Sequence, residues 1–297
     1  MEKRNLKLFI VLFVVALVTG TGFFCACTKD EEGLTPIQSR SKELKEFEEI
    51  DKISSEMADF HTYVMKKFLE EERFGNNVLD QNAVDEIVNF IKKEMSNYDF
   101  KYIEINQESI HFLEIMDIKN IEAIISFSKN NYDFSKVELN LSYAKPSELK
   151  DYIATLNTIL IEEKCKKIED NMLNLIGKSE TFQEFKLYYL KFIENELVNV
   201  QTKNEYTYIR YFADISLSSI EYITEFLCEN NSKGKFGDML KEGWNIAKPI
   251  VAADAGGAVI GAMAGAIGSG PGIVAGGMTG AIGSSAGYCI GNLISRL

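Results

Sequence analysis

Side chains that commonly do chemistry are few in this chain and widely spaced. Its two histidines, His61 and His111, fall on different predicted helices, and neither has a cysteine or a second histidine at metal-ligand spacing. Carboxylates stand in runs such as Glu70-Glu71-Glu72, which are typical of a solvated helix face. No glycine-rich loop precedes a helix in the middle of the chain to hold a phosphate. We therefore expect both histidines to be ordinary helix residues, and the sequence predicts no enzyme, metal site or cofactor.

The N-terminus has the three zones of a secretory leader. Met1–Lys7 is basic, Leu8–Val18 is an uncharged apolar stretch, and Thr19–Ala26 contains glycines that can end a helix. The 11-residue apolar stretch has signal-peptide length and is too short for a membrane-spanning anchor. The sequence therefore predicts export from the cytoplasm.

The end of the leader resembles the lipobox of bacterial lipoproteins. A small residue, Ala26, precedes Cys27, although Phe24 and Cys25 depart from the usual pattern. The following Thr28–Glu32 (TKDEE) resembles the signal that sends some Gram-negative lipoproteins to the outer face of the outer membrane. The resemblance implies cleavage before Cys27, acylation of Cys27 with palmitate-type chains, and a surface-exposed lipoprotein. The alternatives are a plain secretory leader, cut after Phe24 or Ala26, and an uncleaved N-terminal anchor.

Cysteine number and net charge exclude two further classes of protein. After loss of the leader and acylation of Cys27, three scattered cysteines remain, Cys165, Cys228 and Cys289, which do not form a disulfide framework. The full chain has a net charge of −12, and residues 27–297 have a net charge of −14. Because such a surface repels phosphate backbones, we expect no nucleic-acid partner.

Apolar residues recur at helical spacing through residues 40–245. Thr181 with Glu184 has the pattern of a capping box. Residues 98–106 alternate, which fits a short strand or a linker. The predicted fold is all-α: a bundle of about six amphipathic helices followed by a glycine-rich helical hairpin. The predicted helices cover residues 41–73, 82–97, 108–129, 147–176, 181–203 and 206–229.

Aromatic residues cluster at the start of the last of these helices. Tyr206, Tyr208, Tyr211 and Phe212 would suit either an aromatic ligand or glycan, or packing in the core of the bundle. Packing is the favoured interpretation, because aromatic residues at helical spacing usually face the core.

The composition changes abruptly near Trp244. The segment Ala255–Ser295 has 41 residues without a charged side chain or histidine, and 13 of them are glycine. Four-residue spacing places small residues on one stripe of a helix, where another backbone can approach closely. Three such rows are present: Gly257, Gly261 and Gly265; Gly272, Gly276 and Gly280; Gly283, Gly287 and Gly291.

These rows predict a glycine-zipper hairpin. Pro249 suits a first helical turn, Gly270-Pro271-Gly272 breaks the chain, and Ile250–Ser269 and Ile273–Ile294 each match the thickness of a bilayer core. About ten glycines inside the helices cost roughly 1 kcal/mol each, so something must compensate. The open alternatives are membrane association through residues 250–294, packing on the bundle, and disorder or aggregation.

Charge at the hairpin favours membrane association. Lys248, Asp254 and Arg296 all fall at the open end of the hairpin, while the tip is uncharged. Asp254 is the exception inside the first helix. The helix N-terminus favours its negative charge, and Arg296 is its candidate partner.

The tail resembles the glycine-zipper segments of bacterial envelope proteins, and Ile273–Gly283 is similar to stretches of membrane-active bacteriocins. The predicted organisation is a signal peptide (1–26), a lipidated N-terminus and tether (27–39), a helical domain (40–245) and a glycine-zipper hairpin (246–297). The function expected is that of a non-enzymatic envelope lipoprotein whose hairpin contacts membrane or self-associates. The alternatives are a membrane-attacking toxin with the layout of pore-forming colicins and a surface protein that binds a ligand or glycan.

Overall fold

The computed structural model describes residues 36–70, 80–105, 117–141, 144–230, 236–268 and 272–289. Residues 45–297 form one compact unit; of the other unit, residues 1–44, only the helical residues 36–44 are described. The predicted signal peptide, Cys27, His111, Gly291 and Arg296 lie outside the described residues. The first helix begins at Pro36, within the segment predicted as a tether.

The all-α prediction is confirmed: the described residues form nine α-helices, one 3-10 helix (Phe134–Lys136) and no β-strand. Seven of these α-helices precede the two of the hairpin, so the predicted count of about six bundle helices is loosely matched. The α-helices are α1 (Pro36–Glu70), α2 (Gln81–Asn97), α3 (Ile118–Lys129), α4 (Pro146–Ala154), α5 (Thr158–Lys178), α6 (Phe182–Leu197), α7 (Lys203–Asn230), α8 (Phe236–Gly268) and α9 (Gly272–Tyr288).

Two predicted helices of the bundle differ from the structure. The segment predicted as one helix over 147–176 is two helices: α4 ends at Ala154, and Asn157 caps α5 by accepting a hydrogen bond from the Leu160 N–H. The helix predicted to run to residue 203 ends at Leu197. At its start the Thr181 side chain accepts from the Glu184 N–H, while the Glu184 carboxylate accepts from Glu180 N–H rather than from Thr181.

The first helix of the hairpin is longer than predicted. Helix α8 begins at Phe236 and passes through Pro249 and the predicted boundary at 245/246 without interruption. Pro249 therefore lies in a helix interior, not in a first turn, and it cannot supply the N–H that the Asn245 carbonyl would otherwise receive. Residues 98–105 are irregular, as the linker alternative expected.

The hairpin lies in the middle of the bundle. Helix α8 packs on α3, α4, α5 and α7 as well as on α9, and α9 packs on α2 and α3. Residues 250–265 and 275–287 are buried throughout. Within the described part of the chain, one 25-residue stretch, Gly243–Ile267, is long and apolar enough to cross a bilayer, and 89% of its most apolar window is buried inside the protein. This apolar stretch is thus part of the core around which the amphipathic helices pack.

Candidate functional site: the buried hairpin and its polar cluster

Two of the three predicted glycine rows face each other across the hairpin. A methyl group added at Gly261 would lie 2.9 Å from the carbonyl carbon of Gly276 and 3.0 Å from the Cα of Gly280, with the Gly276 carbonyl oxygen closer still. A methyl group at Gly265 would collide in the same way with Gly272. Because backbone atoms cannot rotate away, α8 and α9 approach this closely only where both helices have glycine.

The same contact continues toward the open end of the hairpin, where the Gly257 position meets Gly280 and Ser284. The Ser284 hydroxyl lies 2.8 Å from the carbonyl oxygen of Ala253 on the opposite helix and 2.7 Å from that of Gly280 on its own helix. In the third row, Gly283 and Gly287 are buried on α9. The pairing runs 257 with 280, 261 with 276 and 265 with 272, which is the order of an antiparallel pair.

Helix α8 also has close contacts outside the hairpin. The Ser128 hydroxyl of α3 donates to the Ala252 carbonyl at 2.8 Å, and a Cβ added at Gly256 would lie 3.5 Å from the Ser128 Cβ. The Lys248 ammonium lies 3.1 Å from the Glu169 carboxylate of α5. These contacts join the hairpin to the surrounding bundle.

Asp254 is the acidic group at the centre of a polar cluster in the core. Its Oδ2 accepts hydrogen bonds from the Ser219 hydroxyl at 2.7 Å and from the Tyr222 hydroxyl at 3.0 Å, both on α7. The Ser285 hydroxyl of α9 lies 3.1 Å from that of Tyr222, and His61 Nε2 of α1 lies 3.8 Å from Asp254 Oδ2. All five residues are buried, so three other helices place polar groups around the Asp254 carboxyl in an apolar interior.

Hydrogen bonds on the other edge of the His61 ring decide which of its nitrogens holds the proton. Nδ1 lies 2.8 Å from the Ser218 hydroxyl oxygen, and Ser218 donates its proton to the Ala58 carbonyl at 3.0 Å. The Ser218 oxygen is therefore the acceptor for His61 Nδ1–H and for Thr62. Nε2 then has the free lone pair, has no hydrogen-bond partner, and faces the hairpin.

Burial keeps both titratable groups of the pair neutral. Loss of hydration lowers the pKa of His61 to about 3. The same cause raises the pKa of Asp254 to about 7, although the hydroxyls of Ser219, Ser285 and Tyr222 oppose it. Burial also raises the pKa values of the Tyr222 hydroxyl and the Cys289 thiol. The cluster is therefore uncharged in mildly acidic solution.

Ser218, His61 and Asp254 together resemble a Ser-His-Asp triad, but their geometry does not suit nucleophilic catalysis. The Ser218 proton is donated to a carbonyl rather than to His61, and the His61–Asp254 distance of 3.8 Å exceeds hydrogen-bond range. The three side chains are also buried, so no substrate can reach the hydroxyl in this conformation. Where the chain is described, no group of three His, Cys, Asp or Glu side chains could hold a metal ion.

The aromatic cluster on α7 belongs mainly to the core. Tyr208, Tyr211 and Phe212 are buried, and the hydroxyl of Tyr208 is hydrogen-bonded to that of Tyr152. Tyr206 is partly buried and stacks on Phe47 at 4.4 Å between ring centroids. This is the packing arrangement rather than an open cleft for a ligand or glycan.

Sequence reasoning singled out the glycine rows and Asp254 but missed His61, Ser219, Tyr222 and Ser285. These side chains come from three helices, and Ser218 is 157 residues away from His61 along the chain. A histidine on the apolar face of a predicted helix was the available signal. Comparison with protein-family models, curated proteins and solved structures finds no match to this chain.

Proposed function

We propose that this chain is a non-enzymatic envelope lipoprotein that keeps a membrane-seeking hairpin inside its own helical bundle. One observation carries the proposal: the apolar hairpin, α8 from Ile250 onward with α9, is the buried centre of a bundle of amphipathic helices. A bilayer core and a protein core are both apolar, so the same surface suits either environment.

The hairpin can move between these environments as a unit. Its two helices are joined by backbone contacts at Gly261–Gly276 and Gly265–Gly272, which belong to the hairpin and persist when it leaves the bundle. Helical backbone hydrogen bonds are likewise made within each helix, which is the condition for entering lipid. If α8 and α9 separated from each other instead, their glycine faces would become exposed. Those faces would suit self-association through residues 250–294.

The N-terminal sequence supports a location at the membrane. Acyl chains on Cys27 contribute about 0.8 kcal/mol for each buried methylene, so two or more chains hold a protein firmly at a bilayer. The proposed partner is therefore membrane lipid, contacted through Cys27 and through the hairpin, at the outer face of the outer membrane. Because residues 27–297 have a net charge of −14, nucleic acid is not proposed as a partner.

A disulfide lock between α3 and α8 tests whether the hairpin leaves the bundle. The 3.5 Å between the Ser128 Cβ and a Cβ at Gly256 falls in the range of disulfides, about 3.5–4.5 Å. The Ser128→Cys/Gly256→Cys pair is introduced into Cys27→Ala protein, which cannot be acylated. Cys228 is replaced by serine in both samples. The buried thiols of Cys165 and Cys289 have raised pKa values, so they compete weakly for oxidation.

The measurement is flotation with phosphatidylcholine vesicles before and after reduction. We expect reduced protein to bind the vesicles and oxidised protein to stay free, because the disulfide holds the hairpin in the bundle. Each sample is its own control, since the two differ only in one bond. Equal binding by the two forms, or no binding by either, would refute the proposal. Truncation after Asn245 is a poorer test, because it cuts α8 and removes the core.

A membrane-attacking toxin is the second candidate, and the central position of the hairpin favours it equally. A pore releases a small dye trapped in vesicles, whereas a hairpin that only anchors the protein leaves the dye inside. Dye release by reduced but not oxidised lock protein would favour the toxin.

A further inference from the structure

The His61–Asp254 pair lies on the seam between the hairpin and the rest of the bundle. His61 belongs to α1 and Asp254 to α8, with 3.8 Å between Nε2 and Oδ2. Nε2 has no hydrogen-bond partner, its residue is fully buried, and the nearest carboxyl, Asp254, belongs to the hairpin. A polar atom left without a partner in a core costs free energy. This cost is removed when the hairpin separates from the bundle and water reaches the atom.

We propose that departure of the hairpin for a membrane takes up one proton at His61 Nε2, so that acidification drives the hairpin out of the bundle. This inference rests on the proposed function and adds its regulation. Opening the seam exposes Nε2 to water, where an imidazole binds a proton below its ordinary pKa of 6.5. Within the bundle, desolvation keeps the same nitrogen unprotonated down to about pH 3.

The other groups around the pair do not change protonation state when the hairpin leaves, so they do not account for this proton uptake. Ser219 and Tyr222 of α7, and Ser285 and Cys289 near the end of α9, face Asp254 as neutral hydroxyls and a neutral thiol. Ser218 and Thr62 face the other edge of His61 and are also neutral. Asp254 is protonated below about pH 7 in the bundle and is again neutral in an apolar bilayer, so it contributes no net uptake below that pH.

Complete unfolding has a different proton balance. Both groups are exposed to water in the unfolded chain. Between about pH 3.8 and 6.5, unfolding therefore binds one proton at His61 and releases one from Asp254. The pair therefore has little effect on unfolding in this interval, while it favours hairpin departure at lower pH. Hairpin departure that is coupled to protonation of His61 is thus distinguishable from general acid denaturation.

The test is vesicle binding of Cys27→Ala protein as a function of pH. Vesicles of phosphatidylcholine, which has no net charge, are used because the high net negative charge of the protein would add a second pH dependence with anionic lipid. We expect the ratio of bound to free protein to rise about tenfold for each pH unit below 6.5, which is the linkage of one proton. His61→Gln should abolish this slope, and His111→Gln, which removes the other histidine, should retain it.

A spectroscopic measurement supplements the variants. The imidazole Cε1–H signal of His61 should be constant between pH 7 and 4 in free protein and should titrate near pH 6.5 in vesicle-bound protein. An unchanged slope in His61→Gln, or titration of His61 in the free bundle, would overturn the proposal. Binding that is independent of pH would refute the proton linkage alone, whereas no binding at any pH in the reduced lock protein would refute the proposed function.

Discussion

Gly261→Ala tests whether backbone contact holds the hairpin together. On helix propensity alone the substitution should stabilise the protein by about 1 kcal/mol. The structure predicts the opposite sign, because the new methyl group would lie 2.9 Å from the Gly276 carbonyl carbon and 3.0 Å from the Gly280 Cα. Carbon atoms in ordinary contact are about 3.5–4.0 Å apart, and the Gly276 carbonyl oxygen is closer still, so α8 and α9 must separate by about 1 Å or more.

The cost of this separation depends on how many backbone contacts between α8 and α9 are lost together. Overpacking a core typically costs about 1–3 kcal/mol, and the upper end applies where backbone blocks the new atom and the neighbouring Gly257 and Gly265 contacts loosen together. After the gain in helix propensity, we expect a net loss of about 2 kcal/mol. That is a large fraction of the stability of a typical domain.

Gly177→Ala is the matched control. Gly177 is an exposed helical glycine of α5, and its added methyl group would meet only the end of the flexible Lys241 side chain. The same substitution should therefore stabilise the protein by up to about 1 kcal/mol. Urea unfolding followed by fluorescence of the single, buried Trp244 measures both variants. If Gly261→Ala raises the free energy of unfolding as Gly177→Ala does, the helices do not pack through their backbones.

Two further predictions concern the anchor and the polar cluster. Cys27→Ala should abolish incorporation of radiolabelled palmitate and release the protein from the membrane fraction; unchanged labelling would show that another residue is acylated. Asp254→Asn removes a group whose raised pKa makes its own contribution to stability fall as pH rises from 3.8 to about 7. The difference in free energy of unfolding, variant minus native protein, should therefore increase by about 1.4 kcal/mol per pH unit over that interval. Urea titrations at pH 4.5 and 6.5 measure this difference. A difference that is the same at both pH values would contradict the raised pKa of Asp254.

Local structure was largely determined by the sequence. The spacing of apolar residues indicated an all-α protein, because each amphipathic helix needs one apolar stripe. Thr181 marked a helix start because a threonine side chain can accept from a free N–H of the first turn. Errors occurred at boundaries such as Asn157 and Pro249, where the helical pattern continues on both sides and only the packing decides whether the chain bends or stays straight.

Long-range pairings were decided by the tertiary structure. Four-residue spacing identified each glycine row, but not that the row of Gly261 faces the row of Gly276, since every row offers the same small surface. The sequence also left the surroundings of the hairpin open, because an apolar bundle and a bilayer satisfy an uncharged helix equally well. The place of His61 on an apolar helix face indicated burial but not its partners, since its neighbours Ser218 and Asp254 come from α7 and α8. Burial, which keeps this histidine neutral, exists only once those helices have packed around it.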